Sequence, residues 1–296
     1  SKGAYINKFE EQIKEYTNAD YCTTTSSGTS ALHLAMLALD IGKDDEVITT
    51  NFTYVASTNA ILFVGAKPVF CNIRSEDLNI DIDSIESKIT SKTKAILYTN
   101  VYGFLCDYDR LNEIAKKHGL FLIEDAAESF GAIYKNNMSG TLGDISTFSF
   151  FGNKTITTGE GGMVLCKNIK HYDKITKLKN QGNSETTYFH DILGYNYRMT
   201  NIQAALGLAQ LERLDEFVER KRIMGKKYTQ GLRVLNEVQL PLEKTDYAEN
   251  IYWVFGLVLD DSIGFDAEEA IKMLGEKGKE SGGSNNKLPT LNARPE

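Results

Sequence analysis

Nowhere in its 296 residues does the chain hold an apolar run of the length a membrane-spanning helix needs, and no signal-peptide pattern opens it. It starts at Ser1 rather than Met, which leaves a removed leader open. Positive charge is in short supply: 33 Lys and Arg against 40 Asp and Glu give a net charge of -7. That argues against nucleic acid as the main partner, because phosphate backbones want a basic face. One anionic small ligand in a locally positive pocket stays compatible with it. Cysteine is sparse. Cys22, Cys71, Cys106 and Cys166 form no CxxC pair, which points to reduced thiols in a cytoplasmic protein rather than a disulfide framework. His33, His118, His171 and His190 lack metal spacing such as HExxH, so no metal is assigned. Internal repeats are missing too.

What is there alternates between two periodicities. ALHLAMLAL (31–39) has helical spacing, and YDRLNEIAKKHG (108–119) reads as an amphipathic helix ending on Gly119. EVITT (46–50), KPVFCNI (67–73), TKAILYTN (93–100), LFLIED (120–125), ISTFSFF (145–151) and GMVLC (162–166) read as strands. Strands apolar throughout, with helices between them, predict an α/β fold built on a mainly parallel sheet with helices on both faces. In such sheets ligands sit at the carboxyl ends of the strands. Residues 201–235 read as one long helical stretch without proline, connecting to a smaller α/β domain with a strand at 254–259 and a helix at 266–278. The expected division is a large domain over 1–205 and a connecting helix with a small domain over 206–296. The polar Gly/Asn-rich end (279–296) shows no periodicity and reads as a disordered tail.

Three segments carry chemistry. TTTSSGTSALHLAM (23–36) is a Ser/Thr/Gly loop opening a helix, where free backbone N–H groups suit a phosphate; it is neither a Walker loop nor GxGxxG, and ordinary capping accounts for it equally well. LFLIED places Glu124 and Asp125 at a strand's carboxyl end. A buried Asp there can pair with a protonated pyridine nitrogen, although capping of the next helix is the simpler reading. FSFFGNKTITTGEGG (148–162) sets Lys154 among small and hydroxyl residues between two strand-like runs, so it points into a site or decorates a hairpin turn. Phosphate loop, strand-end Asp and then lysine is the set that pyridoxal 5'-phosphate requires, and their joint presence favours function.

SSGTSALHLAM, DEVITTNFTYVASTNAI, EDAAESFGA, GTLGDISTFSFFGNKTITTGEGGM and GYNYRMTNIQAALGLAQLE resemble successive signature blocks of the DegT/StrS family over roughly residues 1 to 260. The blocks from SFFGNK and NYRMTN on are similar to those of GDP-perosamine synthases and related sugar C4-aminotransferases. The resemblance implies fold type I, pyridoxal 5'-phosphate and transamination of a nucleotide-linked 4-keto-6-deoxy-sugar, with glutamate as amino donor. It implies that Lys154 is the Schiff-base lysine and proton shuttle, and that Asp125 pairs with the pyridine nitrogen. Glu128 would lie by the ring hydroxyl, Tyr54 would stack on the ring, and Gly28, Thr29 and Ser149 would hold the phosphate. Asn196 would reach the phosphate site of a neighbouring subunit, which implies a homodimer with shared active sites.

Asn100 stands in TNVYG where many relatives carry His, which bears on substrate contacts. The family's extreme N-terminus and its closing substrate segment are not matched, ARPE (293–296) aside. Three alternatives stay open: a dehydratase of the same fold, which replaces the lysine, typically by His, and which Lys154 opposes; a synthase of dTDP-4-amino-4,6-dideoxyglucose; and a non-catalytic protein that binds the cofactor or a nucleotide sugar.

Overall fold

The computed structural model describes residues 3–184, 186 and 189–280. The end from residue 281 on, with most of the expected tail, lies outside the described residues. Nine helices are described: α1 (Ala4–Thr17), α2 (Gly28–Ala38), α3 (Ala56–Phe63), α4 (Ile82–Ile85), α5 (Tyr108–His118), α6 (Ile169–Lys179), α7 (Asn201–Leu211), α8 (Leu214–Leu232) and α9 (Ala267–Glu280). Seven strands form one sheet: β1 (Tyr21–Thr25), β2 (Glu46–Thr50), β3 (Lys67–Cys71), β4 (Thr93–Thr99), β5 (Phe121–Asp125), β8 (Ile145–Ser149) and β9 (Gly162–Cys166). Two two-stranded ribbons complete the set, β6 (Ile133–Tyr134) with β7 (Asn137–Met138), and β10 (Val238–Gln239) with β11 (Val258–Leu259).

The sheet order is β1-β9-β8-β5-β4-β2-β3. Its central strands are apolar at successive positions because both faces are covered. Along β4, Ala95 and Leu97 join one core with α2, α3 and α6, while Ile96 and Tyr98 join another with α4 and α5. A third core collects α1, α7 and α8 around Phe9, Phe148 and Phe150. The α/β expectation with helices on both faces is met. β9 departs from it, running antiparallel to both β1 and β8. Residues 150–161 join β8 to β9 without a helix, and a connection lacking a crossover element returns the chain antiparallel. β1 pairs only with β9, so it shares the direction of the other five strands, and the carboxyl ends of six strands meet on one edge.

The stretch 201–235 is not one helix. It breaks at Glu212–Arg213, where Arg213 has ψ 10. No proline is needed, because the two halves serve different partners. Gly207 of α7 abuts the Phe9 ring of α1, whereas Val218 and Gly225 of α8 lie against Gly131 and the Tyr252 ring. The strand expected at 254–259 shrinks to Val258–Leu259, since Phe255 is spent on stacking with Tyr252 and Gly256 lies against the Tyr102 ring.

Candidate active site

Alternation along β5 sends its two terminal carboxylates to opposite faces. Glu124 is fully buried and accepts five hydrogen bonds: from Asn100 Nδ2 (2.9 Å), Ser139 Oγ (3.1 Å), the Gly140 N–H (3.0 Å), the Leu142 N–H (3.1 Å) and Ser146 Oγ (2.8 Å). It is a structural knot beneath the β6–β7 ribbon. Asn100 belongs to that knot as well, with its Oδ1 accepting from the Cys106 N–H at 3.1 Å. Its side chain is thus committed to the fold rather than to a substrate.

Asp125 is buried on the other face. Its Oδ2 accepts from Ser57 Oγ of α3 at 2.7 Å and its Oδ1 from the Ala127 N–H at 3.2 Å. The second bond is the cap-like role expected of a strand-end Asp, and the first is not. Burial pushes this carboxyl up, while Ser57, the Ala127 N–H and Lys154 pull it down. Glu128, in the turn after β5, is also buried; its Oε2 accepts from the Tyr102 N–H at 2.7 Å. Burial pushes Glu128 up to about 7, against the lowering effect of Lys154.

Lys154 lies in the β8–β9 connection, half-buried rather than on a surface turn. Burial lowers its pKa, and the charges of Glu128 and Asp125 oppose that. Among the described residues no ion pair joins it to either carboxylate; its Nζ sits 3.9 Å from the centroid of the Trp253 ring. The lysine thus lies between the charges of Asp125, at the end of β5, and Glu128, in the turn after it, and an indole from the C-terminal segment.

The Ser/Thr/Gly loop ends in a capping box between Ser27 and Ser30 at the start of α2. The N–H groups of Gly28 and Thr29 find no acceptor among the described residues, as the first turn of a helix requires. A Cβ on Gly28 would come within 2.8 Å of Ser149 Cβ, so the end of β8 and the start of α2 touch, and only glycine permits it. Tyr54, just before α3, is 71% exposed. Asn196 is exposed and bridges to Asn180, on the loop whose Tyr197 carbonyl accepts from the Ser26 N–H at 2.9 Å. The structure therefore gathers Asp125, Glu128 and Lys154, brings Gly28 to Ser149 with Thr29 next in the first turn of α2, and leaves Tyr54 and Asn196 facing outward. Ser57 and Trp253 were not anticipated. Ser57 follows Tyr54 by one helical turn's worth of chain, and Trp253 immediately precedes the run read as a strand at 254–259.

A buried carboxylate at ordinary pH needs a cationic partner. Asp125 has only neutral donors in hydrogen-bond contact, and a protonated ring nitrogen would supply the missing charge. Unpaired amides at the start of α2 suit a phosphate, and a desolvated lysine suits an aldehyde. The residues present therefore fit pyridoxal phosphate.

The buried Glu128 gives a first prediction. Its carboxyl holds a proton in the folded chain up to about 7, against 4.5 ordinarily. A raised carboxylate costs stability as pH climbs through that window, and the cost is complete above it. Glu128→Gln is therefore expected to stabilise the cofactor-free protein above pH 7, by up to about 3 kcal/mol, and to be near neutral below pH 4.5. Thermal melts at the two ends of the window check this; an equal gain at both would refute the burial cause.

The family model for "DegT/DnrJ/EryC1/StrS aminotransferase family" matches residues 1–281. A GDP-perosamine synthase of Escherichia coli O157:H7 is 50% identical over 259 residues, covering 87% of this chain and 70% of that protein. One of Vibrio cholerae is 46% identical over 264 residues, covering 89% and 71%. The solved PLP-form of Spr1654 from Streptococcus pneumoniae superposes with a TM-score of 0.87 at 28% identity, covering 98% of this chain and 79% of that one. With the lysine, the strand-end carboxylate and the helix N-terminus on one sheet edge, these likenesses leave one conclusion: the chain belongs to the DegT/DnrJ/EryC1/StrS aminotransferase family and is a pyridoxal phosphate-dependent aminotransferase.

Proposed function

We propose that this aminotransferase converts a nucleotide-linked 4-keto-6-deoxy-sugar to the 4-amino sugar in the manner of a GDP-perosamine synthase, with glutamate as donor. The observation that carries the reading is Lys154, desolvated and facing Asp125 and Glu128 on the edge where α2 presents free amides. The two relatives at 50% and 46% identity support the choice of sugar. Four buried free cysteines agree with a reducing, cytoplasmic setting.

When bound, pyridoxal phosphate carries the amino group between donor and acceptor and serves as the electron sink at the carbon being deprotonated. Lys154 would hold its aldehyde carbon. Once released, the Lys154 amine takes a proton on one side of the exchange and returns it on the other, as base and then acid. Asp125, held by Ser57, would keep the ring nitrogen protonated, and Glu128 would serve the ring hydroxyl. The Gly28 and Thr29 amides and Ser149 Oγ would hold the phosphate, and Tyr54 would cover the ring.

Asn196 completes the phosphate site of a second copy. Exposed apolar side chains support an interface with a second copy, among them Leu193 and Ile202, both 83% exposed, with Phe189 and Phe63. Purified protein pre-loaded with glutamate and offered GDP- and dTDP-linked 4-keto-6-deoxy-sugars should aminate the GDP sugar and sediment as a dimer. Turnover of the dTDP sugar alone would move the base assignment. Binding of both ligands without transfer would replace the enzyme by a binding protein, and a fully active monomer would remove the role of Asn196.

A further inference from the structure

Trp253 is the chain's single tryptophan. It lies in the C-terminal segment, far along the chain from the residues it meets. Three features hold it there. Its Nε1 donates to the Asn153 carbonyl at 2.9 Å, its own carbonyl accepts from Lys221 Nζ of α8 at 3.0 Å, and its backbone nitrogen lies against Gly103, where a Cβ would come within 3.0 Å of it. Tyr252, immediately before it, has a positive φ of 51 and is pinned through its N–H to Asn250 Oδ1 at 2.7 Å. The indole is thus fixed from both sides, and among the described residues the charged group over its ring face is Lys154 Nζ, at 3.9 Å from the centroid.

An aromatic face attracts an ammonium and has no comparable attraction for a neutral amine, and the attraction grows where water is excluded. We propose that Trp253 is a positioning residue for Lys154, receiving its ε-ammonium whenever the lysine is detached and protonated. The proposal rests on the transamination reading for its consequence in the reaction, though not for the pairing itself. As the free Lys154 amine takes a proton it becomes the form the indole favours, so the ring stabilises the product of that step and aims the acid for its return. The Nε1 bond to Asn153 ties the ring to the lysine's own loop, which keeps the two in register when either segment moves.

Because the chain has one tryptophan, its emission reads this contact directly in cofactor-free protein. Lys154→Met is expected to raise emission intensity, since an ammonium over the ring quenches it. Lys221→Met, which removes a contact to the backbone only, should leave intensity unchanged. In the working enzyme, Trp253→Leu should lower kcat about tenfold, the equivalent of about 1.4 kcal/mol and within the range of a desolvated cation–π contact. The KM for the amino donor should hold. Trp253→Phe should recover most of the loss, because it keeps an aromatic face while losing the bond to Asn153. Equal kcat values for the Leu and Phe variants would reduce Trp253 to packing and overturn the proposal, as would unchanged emission in Lys154→Met. Were the sugar reading itself wrong, the wild type would show no turnover, while the emission arm would still decide the pairing.

Discussion

Lys154→Ala is expected to lower kcat by at least about 10^3-fold while the protein stays folded. The amine makes no hydrogen bond or ion pair with the fold among the described residues; it touches the indole alone. Its loss removes a desolvated cation and exposes no unpaired donor, so melting should change little. Catalysis loses two functions together, the residue that holds the cofactor and the base that moves the proton, and groups acting as a unit fail together. Borohydride reduction followed by peptide mass mapping checks the first function: wild type should carry the cofactor mass on Lys154, and the variant should carry none. A reducible bond persisting in Lys154→Ala would assign the chemistry to another amine. Lys179 and Lys167, whose amines are each tied to the backbone, are the controls. Each donates to backbone carbonyls, Lys179 to Thr24 at 2.8 Å and Lys167 to Leu142 at 2.8 Å, and so serves the fold.

The sequence makes legible what local periodicity and chemistry determine, and conceals what direction and long-range packing decide. LFLIED and TKAILYTN read as buried strands because their apolar residues run on without alternation, and β5 and β4 are the sheet's centre. Nothing in GMVLC says which way it runs; the reversal of β9 follows from a connection that lacks a helix. Thr23–Thr25 read as part of the loop because a run of threonines carries no apolar period, yet with Tyr21 and Cys22 they form an edge strand whose end sets up α2. The break between α7 and α8 has no local signal either. Within the site, Asp125, Glu128 and Lys154 were legible as residue types in a known order. Ser57 and Trp253 were not, since a hydroxyl on α3 and an aromatic near residue 253 become meaningful only when the sheet edge brings them to Asp125 and Lys154. The resemblance tied Asn100, standing where many relatives carry His, to substrate contacts, but its side chain belongs to the Glu124 knot.

Asp125→Asn should separate the two readings of that carboxylate. If Asp125 serves chiefly to cap the turn through the Ala127 N–H, asparagine keeps an acceptor there and neither stability nor rate changes much. If it serves as the charged partner of a ring nitrogen, asparagine removes the anion and keeps the shape. Leaving one member of a buried charge pair without its partner costs about 3–5 kcal/mol, so kcat should fall by about two to three orders of magnitude. Stability of the cofactor-free protein should move the other way. The folded carboxyl is raised above its ordinary value by burial, so its ionisation weakens the fold as pH rises past the ordinary carboxylate range. Asparagine removes that cost, and the variant should melt no lower than wild type at neutral pH. Ser57→Ala supplies the intermediate case: it keeps the anion but withdraws the hydroxyl at 2.7 Å, which should weaken cofactor retention more than it changes melting. A loss of rate in Asp125→Asn matched by an equal loss of melting temperature would return Asp125 to a structural role. Full rate with an unaltered cofactor spectrum would end its assignment to the ring nitrogen.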